Sequence, residues 1–148
     1  MTNRRQRTGV GRPSSGYSGT PLATKLGIKP GMRVIAIGAP VDFAMTLGKL
    51  PVGAALATRL AQCAEMIVAF ATSLAKLESG VDRWKGALAS HGSLWICWPK
   101  RVSGVPTDLS EDIIRTLGLA RGLVDVKVCA VDGVWSGLRF VYRLKDRK

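Results

Sequence analysis

Apolar residues along the chain fall into two kinds of run. MRVIAIG (residues 32–38), MIVAFAT (66–72) and SLWICWP (93–99) are short, rich in branched or aromatic residues and apolar at both alternating positions. That is the pattern of strands covered on both faces. Elsewhere the spacing is helical. Leu74, Leu77, Val81, Trp84 and Leu88 step by 3, 4, 3 and 4 to make one stripe, with Ser73 placed to cap it. Leu109, Ile113, Ile114 and Leu117 make a second inward stripe, over residues 109–121. Short helices are predicted from Thr20-Pro21, an N-cap and first helical position, to Gly27, and from Asp42 to Gly48. GAALATRL (53–60) reads as a weak strand. VDVKVCAV (124–131) and VWSGLRFVYRL (134–144) flank Asp132-Gly133, a two-residue hairpin signal, so the last two strands are expected to be antiparallel.

Strands alternating with helices and ending in a hairpin predict an α/β fold. The expectation is a three-layer, Rossmann-like, mostly parallel sheet of about six strands with a C-terminal antiparallel hairpin. Ligands of such sheets bind beyond the carboxyl ends of the strands, where strand order reverses. Here those ends are residues 38–40, 72–73 and 98–108. Residues 1–16 hold Arg, Gly, Ser and Pro with almost no apolar content and are expected to form a mobile basic tail, leaving one α/β domain over residues 17–148.

Charge changes this picture less than its size suggests. Of the net +12, the first sixteen residues carry +4, residues 139–148 another +4 and the long middle the last +4. Arg4, Arg5, Arg7 and Arg12 could hold a phosphate backbone weakly and with steep salt dependence, while keeping the protein soluble equally accounts for them. Cys63, Cys97 and Cys129 form no CxxC pair, and His91, followed by Gly92, is the single histidine and reads as a helix C-terminus. A structural metal or a Ser-His-Asp mechanism would lack its usual residues, and neither metal nor cofactor is expected. No apolar run approaches the roughly 20 residues that span a bilayer, so the expectation is a soluble, cytoplasmic protein without a membrane partner.

LGIKPGMRVIAIG, then AEMIVAFAT, HGSLWICWP, a helix, DVKVCAVD and a final strand, resembles the chain plan of class I S-adenosylmethionine-dependent methyltransferases. More narrowly, GYSGTPL (16–22) and SLWICWPKRVSGVPTDL (93–109) resemble the motifs of a small bacterial domain-of-unknown-function family found widely in actinobacteria. The methyltransferase resemblance implies a glycine-rich loop after the first strand and an acid after the second, which holds ribose hydroxyls. This chain has IAIGAPVDF at the first place, with Gly38 as sole candidate and Pro40 lacking an N–H, and Thr58-Arg59 at the second. It is also one strand-helix unit short of that plan. The scaffold is therefore expected without the methyl donor's chemistry.

The stretch WPKRVSGVPTDLSEDI (98–113) carries most of the candidate chemistry. Lys100 and Arg101, with the helix start near Asp108, would make an anion pocket under Trp98, with Ser103 and Thr107 in the intervening loop. Against this, Asp108 reads as the helix N-cap and Glu111 completes a capping box, which would occupy the N–H groups an external anion needs. Gly38, Pro40 and Ser73 are the other ligand candidates, and Tyr17, Ser18 and Thr20 form a candidate lid over the same edge. The reading that follows is a non-catalytic binding or regulatory protein for a small anion or a protein partner. A small enzyme using Lys100, Ser103 and Asp108 and a nucleic-acid binder acting through the basic ends are the alternatives.

Overall fold

The computed structural model describes residues 20–147; the arginine-rich tail, Tyr17 and Ser18 lie outside the described residues. The elements in chain order are α1 (Leu22–Leu26), β1 (Arg33–Ile37), α2 (Phe43–Leu47), β2 (Ala55–Ala57), β3 (Ala64–Phe70), α3 (Leu74–Ala87), β4 (Leu88–Pro99), a 3-10 turn (Arg101–Ser103), α4 (Glu111–Ala120), β5 (Leu123–Ala130) and β6 (Trp135–Tyr142). They form one six-stranded sheet in the order β2-β1-β3-β4-β6-β5. β1 pairs parallel with β2 and β3, and β3 pairs parallel with β4. β6 runs antiparallel to both β4 and β5. The expected α/β class, strand number and antiparallel end are all present.

Strict alternation in the central strands builds two cores. Val34 and Ala36 of β1 and Trp95 and Cys97 of β4 face α1 and α2, while Ile35, Leu94, Ile96 and Trp98 face α3 and α4. Each set of alternating residues therefore packs against its own helix pair, and three layers result. α1 has only five residues and is held by specific bonds. The buried Trp95 Nε1 donates to the Leu26 carbonyl at 3.0 Å, and Lys25 Nζ donates to the Ala130 carbonyl at 2.8 Å. These contacts satisfy a helix-end carbonyl and an indole N–H together. The first residue capping α1 by backbone geometry is Pro21, one position after the expected Thr20.

Five local expectations are corrected. His91-Gly92 does not end a helix: α3 stops at Ala87 and β4 begins at Leu88, with a register irregularity where Ala64 pairs Leu88 but Met66 pairs Ser93. A Cβ at Gly92 would stand 2.7 Å from the Ala64 carbonyl oxygen, so this glycine permits close approach of a bulged strand to its neighbour. Leu88 accordingly belongs to the strand and leaves the helical stripe. Asp132-Gly133 does not close a two-residue turn. Asp132 Oδ1 instead accepts from the N–H groups of Val134 and Trp135, each at 2.8 Å, folding residues 131–134 into a longer loop. Ile113, expected inward, is 38% exposed, and Ser110 replaces Asp108 as the cap of α4.

Residues 58–63 join β2 to β3 without a helix, and Leu60 and Ala61 from this link pack on the α3/α4 side of the sheet. A short coil thus covers part of a face on which a further helix would otherwise sit. No described helix is long and apolar enough to cross a membrane.

Candidate functional site

β1 lies between β2 and β3, so the chain leaves its carboxyl end toward one neighbour and later returns on the other side. This is the reversal point at which ligands of open α/β sheets bind. Gly38 occupies it with φ of 66°, a left-handed conformation suited to glycine. A Cβ there would stand 3.0 Å from the Phe70 carbonyl oxygen, so the absent side chain is already used in packing β1 against β3.

Two recesses flank Gly38. One, of about 410 Å³, is bordered by Gly38, Pro40, Phe43, Leu56 and Thr58. The other, of about 450 Å³, lies between the ends of β1 and β3 and one side of α3, where Gly38, Phe70, Thr72, Lys76, Ser79, Gly80, Arg83, Trp84 and Trp135 contribute. Among the described residues, no Asp, Glu, His or Cys lines either recess. Phe70 makes edge-on ring contacts with Phe43 at 5.0 Å and with Trp135 at 5.1 Å, which gives the second recess a stiff aromatic side.

A third recess, of about 590 Å³, brings Trp98, Lys100, Arg101, Thr107, Ser110 and Glu111 together under the loop from β4 to α4. The predicted grouping of Trp98, Lys100, Arg101 and Thr107 is therefore realised in space. Trp98 is 6% exposed and belongs mainly to the core. The hydroxyls of the loop are engaged: Ser103 Oγ donates to the Lys100 carbonyl at 2.7 Å and accepts from Val105 N–H at 3.1 Å. Thr107 Oγ1 donates to the Thr72 carbonyl at 2.7 Å and accepts from Leu109 N–H at 3.1 Å.

The capping box expected at Asp108 and Glu111 does not form. Ser110 Oγ accepts from Ile113 N–H at 3.3 Å, and Glu111 turns to Arg115. Asp108 Oδ1 instead accepts from Leu74 N–H at 2.9 Å, supplying the first turn of α3 from 34 residues away. Ser73 Oγ accepts from Lys76 N–H at 3.2 Å at the same helix end. Thr107 and Asp108 thus tie the β4–α4 loop to the junction of β3 and α3, and Ser73 serves as a cap as expected. Thr20 lines a separate recess of about 290 Å³ beside the C-terminal end of α2 and the β5–β6 loop.

Lys76, Ser79 and Arg83 escaped the sequence reading, and Trp84 entered it only as a member of the apolar stripe. Their signal lay in α3 itself: residues 76, 79/80 and 83 form a polar stripe beside the apolar stripe of Leu77, Val81 and Trp84, and a buried helix leaves such a stripe facing a sheet edge. Lys76 and Arg83 side chains have no hydrogen-bond or ion-pair partner among the described residues. The Trp84 indole N–H is buried and likewise without an acceptor. No described His, Cys, Asp and Glu residues gather in a group of three able to hold a metal ion. Burial pushes the Cys97 thiol well above its ordinary pKa, helped by Cys129 and Asp132, and burial also raises Cys129. Cys97 is a core residue, and Cys129 packs half-buried against that core.

Among solved structures, the chain is similar to a SAM-dependent methyltransferase from Aquifex aeolicus, with a TM-score of 0.58 and 14% identity over 80% of this chain and 86% of that one. The methyltransferase-like fold is thereby established. No family model and no curated protein matches the sequence.

Proposed function

We propose that this chain is a non-catalytic binding or regulatory protein that keeps the methyltransferase-like sheet and takes a small anionic ligand at its carboxyl edge. The observation that carries this reading is the composition of the two recesses beside Gly38. Among the described residues neither has a carboxylate, imidazole or thiol along its walls, so neither offers a carboxylate or imidazole base or a carboxylate for ribose hydroxyls. The end of β1 does not fit an adenosyl methyl donor. The space above Gly38 is closed by the Phe70 carbonyl, Pro40 brings no N–H, and Thr58-Arg59 after β2 brings no acid.

The enzyme alternative is disfavoured at its own residues. Asp108 is committed to Leu74 N–H, Ser103 to its loop and Glu111, which also lines the third recess, to Arg115. Isothermal calorimetry of the full chain with S-adenosylmethionine tests the proposal. The expected result is no saturable heat up to about 1 mM donor, whereas a dissociation constant of about 10 μM or tighter would defeat it.

A further inference from the structure

We infer that the recess between the carboxyl ends of β1 and β3 binds a planar organic phosphate, with its anionic group on Lys76 and Arg83 and an acceptor atom on the Trp84 indole N–H. The inference rests on the binding reading above and names the site and ligand class for it. Three independent observations converge on the recess. First, its charge is one-sided. Lys76 and Arg83 stand seven positions apart, two turns along one side of α3, and neither side chain has a partner among the described residues. No carboxylate of the described residues lines the recess, so an external anion is the natural counterion.

Second, the walls suit a flat body. Phe70 and Trp135 meet edge-on at 5.1 Å, and Trp84 closes another side. The volume, about 450 Å³, is in the range of small-ligand sites.

Third, Trp84 carries an unmet hydrogen-bond donor. The residue is 4% exposed, and its Nε1 has no acceptor among the described residues. The ring lies back over its own helix. A Cβ on Gly80 would fall 2.4 Å from Cζ2 and 2.8 Å from Cε2, the carbon bonded to Nε1. Gly80 and Trp84 both line the recess. Buried donors nearly always have partners, and a ligand oxygen held in the recess would supply this one.

The chain has four tryptophans, so the indole region of a 1H–15N spectrum reads the site directly. The probe is phenyl phosphate added to the full-length, uniformly labelled protein, with each indole peak assigned by single Trp→Phe variants. The Trp84 peak should move downfield and saturate. Lys76→Gln with Arg83→Gln should weaken the apparent affinity at least about tenfold while leaving the other three indole peaks in place. Inorganic phosphate should bind more weakly than phenyl phosphate, and added salt should weaken both.

A saturable shift centred on Trp98 with Trp84 static would overturn the assignment. So would a Trp84 shift indifferent to the double glutamine variant, equal affinity for inorganic phosphate, or no saturable shift up to about 10 mM phenyl phosphate. If the site fails while S-adenosylmethionine still does not bind, the binding reading survives and this location does not. Tight donor binding would defeat both.

Discussion

Gly38 and Gly27 both hold left-handed backbone, with φ of 66° and 90°, but their surroundings differ. Nothing lies within 4 Å of a Cβ placed on Gly27, whereas one on Gly38 meets the Phe70 carbonyl oxygen at 3.0 Å. Gly27→Ala should therefore carry the conformational cost alone, about 1–2 kcal/mol. Gly38→Ala should cost more than that, because a backbone carbonyl in the central sheet cannot step aside. Urea denaturation with unchanged slope would measure the gap; equal losses at the two sites would show that the β1–β3 approach is not tight. The glycine after β1 was legible in the sequence as a turn, but its use in packing was not, since contact with Phe70 depends on a strand 32 residues later. Asp108 illustrates the same limit. Its spacing to Glu111 fits a local cap, and the carboxylate is taken by Leu74 N–H, a partner that tertiary structure alone brings near.

At the scale of elements, α4 is fastened to β5 by one guanidinium. Arg115 donates to Asp125 at 2.8 Å and also pairs with Glu111 and Asp112 within its own helix. The hydrogen bond from Arg115 holds the Asp125 carboxyl below its ordinary pKa, and Arg115 in turn holds its proton more firmly. Because the folded pKa is lower than the unfolded one, the stability due to Asp125 is full above the ordinary carboxylate range and is lost as pH falls through the folded value. Asp125→Asn should thus melt below the parent protein by a constant margin near neutrality, and the margin should close in acid below about pH 4. Partial exposure keeps the effect small, and a margin that persisted unchanged into strong acid would contradict the pairing. Helix and strand identities here followed from periodicity. Their junctions did not: α3 passes into β4 without a loop, and Gly92, which resembles a helix stop, instead lets bulged β4 lie against β3. A glycine signals that a Cβ is unwelcome without saying what would meet it.

For the whole molecule, the three layers were legible because each central strand divides its apolar residues between two faces. Ile35 goes to one core and Val34 and Ala36 to the other, which a continuous apolar run already implies. The order β2-β1-β3-β4-β6-β5 places the reversal at Gly38, where the fold's ligands belong. The loop at residues 98–108 drew attention in the sequence because its glycine, prolines and cations are contiguous. The recess holding Lys76, Arg83 and Trp84 did not, because those residues are spread over two helical turns and are brought to the edge by the docking of α3. The proposed role of this aromatic-walled, cationic edge is ligand retention rather than methyl transfer. Crystals of the full chain soaked with S-adenosylmethionine test that account most directly. It predicts no adenosyl density beside Gly38, with Phe70 unmoved; a donor molecule seated there, its ribose hydroxyls held by protein groups, would contradict it.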